Sequence, residues 1–259
     1  LYYYCHYHSG MGGQANTNST FGSSNFSGTT QANVSANTTA GFSIVSYSGN
    51  DAQRTVGHGL GVAPSMIIIK RRNVSANWCV YHKSIGAEKY LELSTTIAQA
   101  DSNSTFNDTE PTSSVFSIYD AGLTGATGSN YIAYCFAEKK GYSKFGSYTG
   151  NGQASGGGPF IYLGFKPAFF LLKESSNADN WIILDDKRQG FNGRNDMLFP
   201  NLNNVEYASD RVELMSNGVK IIDNDGSINT NDATYIYMAF AENPFVANDS
   251  GTAVPVTAR

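Results

Sequence analysis

Tyr131-Ile132-Ala133-Tyr134-Cys135-Phe136-Ala137-Glu138 returns 104 positions later as Tyr235-Ile236-Tyr237-Met238-Ala239-Phe240-Ala241-Glu242. Each run is short, aromatic and β-branched, and shows no helical period, which reads as a strand buried on both faces. Working outward, the neighbouring segments recur as well. Tyr47-Ser48-Gly49-Asn50 becomes Tyr148-Thr149-Gly150-Asn151, and Gly61-Val62-Ala63-Pro64 becomes Gly164-Phe165-Lys166-Pro167. The apolar run Met66-Ile67-Ile68-Ile69-Lys70 becomes Phe169-Phe170-Leu171-Leu172-Lys173, and Asn77-Trp78 becomes Asn180-Trp181. The offsets drift only from 101 to 104, so these are homologous copies with small loop insertions. Two copies of about 100 residues make a duplicated domain, not a solenoid of short repeats.

Within each copy the apolar runs are bounded by Gly, Pro, Asn or Asp, the pattern of strands joined by turns. Strands are expected at 42–47, 65–70, 78–82, 89–93, 114–119 and 131–137 in the first copy. The second copy places them at 145–148, 160–163, 168–173, 180–184, 211–215, 218–222 and 234–241, with hairpin turns at Asn217-Gly218 and Asp225-Gly226. The fold class is therefore all-β: two tandem homologous antiparallel β-sandwich domains, of jelly-roll or Greek-key wiring, preceded by an extended N-terminal arm. Residues 1–41 form the arm, 42–143 the first repeat, 144–245 the second and 246–259 a C-terminal tail.

From Leu1 to Asn50 there is no Asp, Glu, Lys or Arg, and much of that stretch is Asn, Ser, Thr, Gly and Ala. Such a segment buries little apolar surface against its ordering entropy, so it is expected to order only against a neighbouring subunit. Tyr2, Tyr3, Tyr4, Phe21, Phe26 and Val34 are its docking candidates. The chain begins without an initiator Met, which reads as a processed product or a piece of something longer. A net charge of -4 with no basic runs argues against nucleic-acid binding, since that affinity comes from clustered Lys and Arg. Lys70-Arg71-Arg72 is the one dense basic spot and reads as a solvated strand end. No apolar run approaches the ~20 residues that span a bilayer, so membrane insertion is not expected. Three cysteines, Cys5, Cys79 and Cys135, do not make a disulfide scaffold.

Several residues carry chemical possibilities. Cys5, His8 and Met11 supply thiolate, imidazole and thioether within one short stretch, the soft ligands a copper centre uses. Asp223, Asp225 and Asn229 place oxygens around Gly226 as calcium loops do, although a hairpin turn accounts for the same residues. Trp78 and Trp181 could stack on sugars, yet both lie beside apolar residues at the same place in each copy, which reads as core. Glycosylation sequons occur at Asn18, Asn25, Asn33 and Asn37, and again at Asn73, Asn103, Asn107 and Asn248. No nucleophile elbow, zinc-protease, phosphate-loop or dinucleotide motif is present in the sequence. Asp185-Asp186 with Glu138 and Glu242 could supply a carboxylate pair for glycoside hydrolysis.

Gly57-His58-Gly59-Leu60-Gly61-Val62-Ala63-Pro64, the Tyr131 to Glu138 run, Gly141-Tyr142-Ser143-Lys144-Phe145-Gly146-Ser147-Tyr148-Thr149-Gly150-Asn151-Gly152 and the Gly164 to Lys173 run share a further likeness. With the ending Phe240-Ala241-Glu242-Asn243-Pro244-Phe245, they resemble a domain near the ends of tail-fibre-like and other structural proteins of marine and freshwater bacteriophages. The leading Tyr4-Cys5-His6-Tyr7-His8-Ser9-Gly10-Met11 segment resembles a cupredoxin copper loop, but with closer ligand spacing and without an upstream histidine strand. The resemblance implies a surface-exposed, multimeric, structural or adhesive role and carries over no active site.

The sequence therefore reads as a non-catalytic subunit of an extracellular or virion appendage, without a required cofactor. Its expected partners are further copies of itself and host-surface glycans. A secreted carbohydrate-binding module and a glycan depolymerase are the rival readings.

Overall fold

In a computed structural model, residues 2–4, 12–14, 22–188, 196–208 and 210–243 are described. Two compact units make up the chain: Leu1–Tyr90 with Asp101–Ala137, and Leu91–Ala100 with Glu138–Arg259. The class is all-β. No helix among the described residues is long and apolar enough to cross a membrane.

In chain order the first unit's strands are β1 (Tyr2–Tyr4), β2 (Gly12–Gln14), β3 (Ser23–Asn25), β4 (Ala32–Asn37), β5 (Phe42–Ser48), β6 (Arg54–Gly57), β7 (Met66–Arg71) and β8 (Trp78–His82). Next come β9 (Lys89–Glu92), β10 (Ala100–Asp101), a helical turn α1 (Asn103–Phe106), β11 (Val115–Ile118) and β12 (Asn130–Phe136). The main sheet runs β10-β9-β8-β7-β12-β5-β4-β3, and a small sheet pairs β11 with β6. Alternate residues of β12, namely Tyr131, Ala133 and Cys135, face the core opposite Tyr47, Val45 and Ser43 of β5. Val56, Phe116 and Ile118 of the small sheet close over them, so the two sheets enclose one sandwich-like core. Cys79 and Cys135 are buried free thiols in it.

The second unit contains β13 (Ser143–Thr149), β14 (Phe160–Tyr162), β15 (Pro167–Glu174), β16 (Trp181–Asp185), β17 (Val212–Met215), β18 (Gly218–Ile221), a helical turn α2 (Gly226–Asn229) and β19 (Thr234–Ala241). Its sheets run β13-β19-β15-β16 and β14-β18-β17. The four-strand order matches β5-β12-β7-β8 of the first unit, so the sequence repeat is a repeat of connectivity. In both, the run after Pro and the run before Ala-Glu are adjacent and interior to their sheet. Phe170, Leu172, Tyr235, Tyr237 and Ala239 fill the core between the sheets with Val212, Val219 and Ile221. Leu91–Ala100 belongs to this unit: Trp181 Nε1 donates to Glu92 O at 2.9 Å and Gln99 N to Ser175 O at 2.8 Å.

The leading segment departs from expectation. Residues expected to order only against another subunit instead fold as β3 and β4 onto the edge of the chain's own β5. Backbone pairing does most of this work, for Thr29 and Thr30 both donate to Thr55 O, and of the β3–β4 segment only Thr30, Ala32 and Val34 are buried. Val34 is thus a core residue and not a docking point, whereas Phe26 is exposed. Tyr2, Tyr3 and Tyr4 form β1, antiparallel to β2. Phe21, Asn18 and the copper candidates Cys5, His8 and Met11 lie outside the described residues.

A second correction concerns Asp225-Gly226, which opens α2 instead of turning a hairpin. Asp225 Oδ1 accepts from Ser227 N at 3.0 Å and caps the helical turn. Ser216-Asn217 does form a two-residue hairpin loop, with Met215 opposite Gly218.

Candidate functional site

The recurring Tyr-Ser/Thr-Gly-Asn motif builds the floor. Tyr47 stacks on Tyr131 with ring centroids 5.3 Å apart, and its hydroxyl donates to Thr124 O at 2.9 Å. Tyr131 Oη donates to Gly122 O and accepts from Ala126 N, both at 3.0 Å. The second unit repeats each contact: Tyr148 stacks on Tyr235 at 4.8 Å, and Tyr148 Oη donates to Ile228 O. Tyr235 Oη donates to Gly226 O and accepts from Thr230 N. These pairs latch the turn that precedes each final strand. Gly49 and Gly150 follow because a Cβ there would lie 2.4 Å from Gly125 O and 2.1 Å from Thr230 O. The motif is therefore architectural in both units.

Above this floor the first unit has a polar cleft of about 680 Å³. Gln31 and Asn33 of the β4 segment form one wall with Ser46 and Ser48 of β5. Thr30 and Arg54 come from the β6 side, and Arg72, Asn73 and Asn130 close the other end. The lining holds two arginines and no carboxylate. Among the described residues neither Arg54 nor Arg72 makes an ion pair. Thr30 is 4% exposed, and its hydroxyl is buried without a hydrogen-bond partner.

The second unit keeps the backbone of this place and not its chemistry. Arg72 N donates to Asn130 O as Ser175 N donates to Thr234 O, each at 2.8 Å. Asn130 N donates to Asn73 Oδ1 as Thr234 N donates to Ser176 Oγ. Arginine and asparagine are thus replaced by two serines, and among the described residues no strand corresponding to β4 lies beside β13. A smaller hollow of about 420 Å³ in this unit includes Asp179, Arg211 and Asp225. Its one arginine is already paired, with Arg211 3.0 Å from Asp225 Oδ2, while Asp179 Oδ1 accepts from Asn180 N.

The other candidates are placed as follows. Asp225 is committed to the helix cap and Arg211, and Asp223 Oδ1 accepts from Asp225 N. Asn229 is fully buried, donating to Gln153 O and Asp223 O and accepting from Asn151 N. Trp181 is 1% exposed with its Nε1 bonded, which removes it as a glycan platform. Trp78 is half-buried beside Tyr134 at 6.4 Å, with Lys70 Nζ 5.6 Å from its ring, so the expectation that both tryptophans are core holds for Trp181 alone. Asn25 and Asn37 cap turns through Ser27 N and Ala40 N, and Asn33 is exposed.

Three of the carboxylates considered for hydrolysis form ion pairs, and the fourth, Glu138, accepts from Phe145 N at 3.3 Å. Asp185 meets Arg188 at 2.6 Å, Asp186 meets Lys187 at 3.0 Å, and Glu242 meets Lys166 at 2.7 Å. The Lys166 hydrogen bond holds Glu242 below the usual carboxylate range, the opposite of what a general acid needs. His58 is buried, with Nδ1 accepting from Leu60 N and Nε2 facing Thr112 O, and burial lowers its pKa.

The sequence did not single out Arg54 or the exposed aromatics Phe160 and Tyr162, 47% and 61% exposed, beside Met215 on the outer face of β14-β18-β17. Alternation in Phe160-Ile161-Tyr162 was the signal for the aromatics, since Ile161 faces the core. A family model described as a domain of unknown function, DUF7483, matches residues 15–244. No curated protein and no solved structure matches the chain.

Proposed function

This chain belongs to the DUF7483 family, a domain of unknown function, and we propose that it serves as a non-catalytic structural and adhesive subunit of an extracellular or virion appendage. One observation carries the reading. The same scaffold is present twice, and among the described residues only the first copy carries the β3–β4 hairpin and, beside it, a cleft whose two arginines make no ion pair. A duplicated, latched β-scaffold presenting one polar recognition site suits a part that holds position and touches a surface. Its partners are further copies of itself and glycans on a host surface. Light scattering over a concentration series and binding to host cells test this. Concentration-dependent assembly with cell binding is expected; a monomer at all concentrations that binds no cells overturns it.

Phe160, Tyr162 and Met215 favour a second reading, a carbohydrate-binding module that stacks sugars on exposed aromatic rings, with Lys144 Nζ 5.2 Å from the centre of the Tyr162 ring. In that case Tyr162→Ala abolishes binding on a glycan array while Trp78→Ala does not.

A further inference from the structure

We propose that the cleft of the first unit binds an acidic saccharide, a sugar bearing a carboxylate or sulfate group. The proposal rests on the adhesive reading above and names its ligand class. Three features of the lining point to that chemistry.

The first is charge. Arg54 and Arg72 stand in one cleft without an acidic residue in its lining, and neither is neutralised among the described residues. Guanidinium groups present a planar fork that matches a carboxylate or sulfate edge. Arg188, satisfied by Asp185 and Glu206, and Arg211, satisfied by Asp225, show the alternative in this same chain.

The second is the neutral lining. Gln31 and Asn33 carry side-chain amides with no hydrogen bond among the described residues, and Ser46 lies opposite Asn33 in the strand register. Amides offer donors and acceptors together, which suits hydroxyl groups that do both. The Thr30 hydroxyl lies buried behind this lining, without a partner among the described residues.

The third is size and surroundings. About 680 Å³ is far more than one inorganic anion occupies and lies in the range of small-ligand pockets. Tyr47 and Tyr131 beneath it are buried, with their hydroxyls engaged, so recognition here is polar and not by ring stacking. A net charge of -4 opposes a long phosphodiester, whereas two arginines in a cleft accept an isolated acid group.

The test is titration calorimetry of the full chain with trigalacturonate, its methyl ester, a sulfated disaccharide, inorganic sulfate and a single-stranded DNA oligomer. Trigalacturonate or the sulfated disaccharide is expected to bind, and which one does identifies the acid group. The methyl ester, free sulfate and DNA are expected to bind at least tenfold more weakly. Arg54→Ala and Arg72→Ala should each weaken binding about tenfold or more with unfolding midpoints retained, and Thr30→Val should weaken it less. Absence of binding by both acidic sugars, equal binding of the ester, of sulfate or of DNA, or full affinity in both arginine variants overturns the proposal. Cell binding separates this from the wider reading. If the wild type and the double arginine variant adhere equally, the cleft proposal falls and the adhesive role stands; if the wild type neither assembles nor adheres, the adhesive role itself falls.

Discussion

Tyr131 and Tyr235 each hold a hydroxyl between one backbone donor and one backbone acceptor, in the same arrangement in both units. Replacing either by Phe leaves an N–H and a C=O without their partner while keeping the ring stack. Each substitution should cost about 1–3 kcal/mol in urea unfolding, and the two should cost similar amounts. Lys173 gives a pH dependence of defined sign. Burial lowers its pKa to about 8 from 10.5, although Asp179 and Glu174 act the other way. Between those values the unfolded chain holds a proton that the folded chain has released, so stability rises with pH through that window, by at most about 3 kcal/mol. Lys173→Met should flatten the rise in thermal midpoints. Above pH 10 the buried tyrosines reverse the trend, because burial raises Tyr47, Tyr148 and Tyr235 above the ordinary value and Tyr237 to about 12. The unfolded chain then loses protons that the folded one keeps, and stability falls. Residue-level reading from sequence succeeded at Trp181, whose apolar neighbours marked it as core. It misjudged Trp78, because an identical sequence context does not specify which neighbour covers the outer face of a strand.

Among elements, β12 and β19 were legible as unbroken apolar runs, although burial on both faces, the expectation for such a run, holds for β19 while β12 is buried on one face and half-buried on the other. β4 and β6 were not legible. Ala32-Asn33-Val34-Ser35-Ala36-Asn37 lies beside β5 through main-chain hydrogen bonds that leave no side-chain signature, with two small buried residues as anchors. Arg54-Thr55-Val56-Gly57 is short and polar, with Val56 alone in the core cluster. The consequence is measurable: Val34→Asp places a carboxylate in the first unit's core and should destabilise that unit by several kcal/mol in a purified monomer. A segment ordered only by a neighbouring subunit would leave the monomer unaffected. For α2, Asp225→Ala removes both the cap and the Arg211 ion pair, and should cost about 1–2 kcal/mol in the second unit's denaturant midpoint.

On the scale of the whole molecule, all-β architecture and duplicated connectivity were readable from the repeat, whereas the candidate site was readable only in part. Lys70-Arg71-Arg72 stood out as basic, but Arg54 reaches the same cleft only through sheet pairing, and Gln31 and Asn33 only through the unforeseen β4. A site assembled from five separate stretches of chain leaves no spacing rule to find. The duplication also shows which copy carries the distinctive chemistry, since Ser175 and Ser176 stand where the first unit has Arg72 and Asn73.

The two tyrosine latches also bear on how the chain reaches this state. Each joins strands some eighty residues apart, Tyr47 to the turn at Thr124 and Tyr148 to the turn at Ile228, so neither can close early by local contact. An unfolded chain holding two copies of the same clasp offers β5 the partner that belongs to β13, and β12 and β19 present that partner in similar dress. Folding in order of synthesis lets the first clasp close before the second is made. Refolding of the whole chain from denaturant has no such order, and crossed pairing of homologous strands should appear as a slow phase and as dimers whose yield grows with protein concentration.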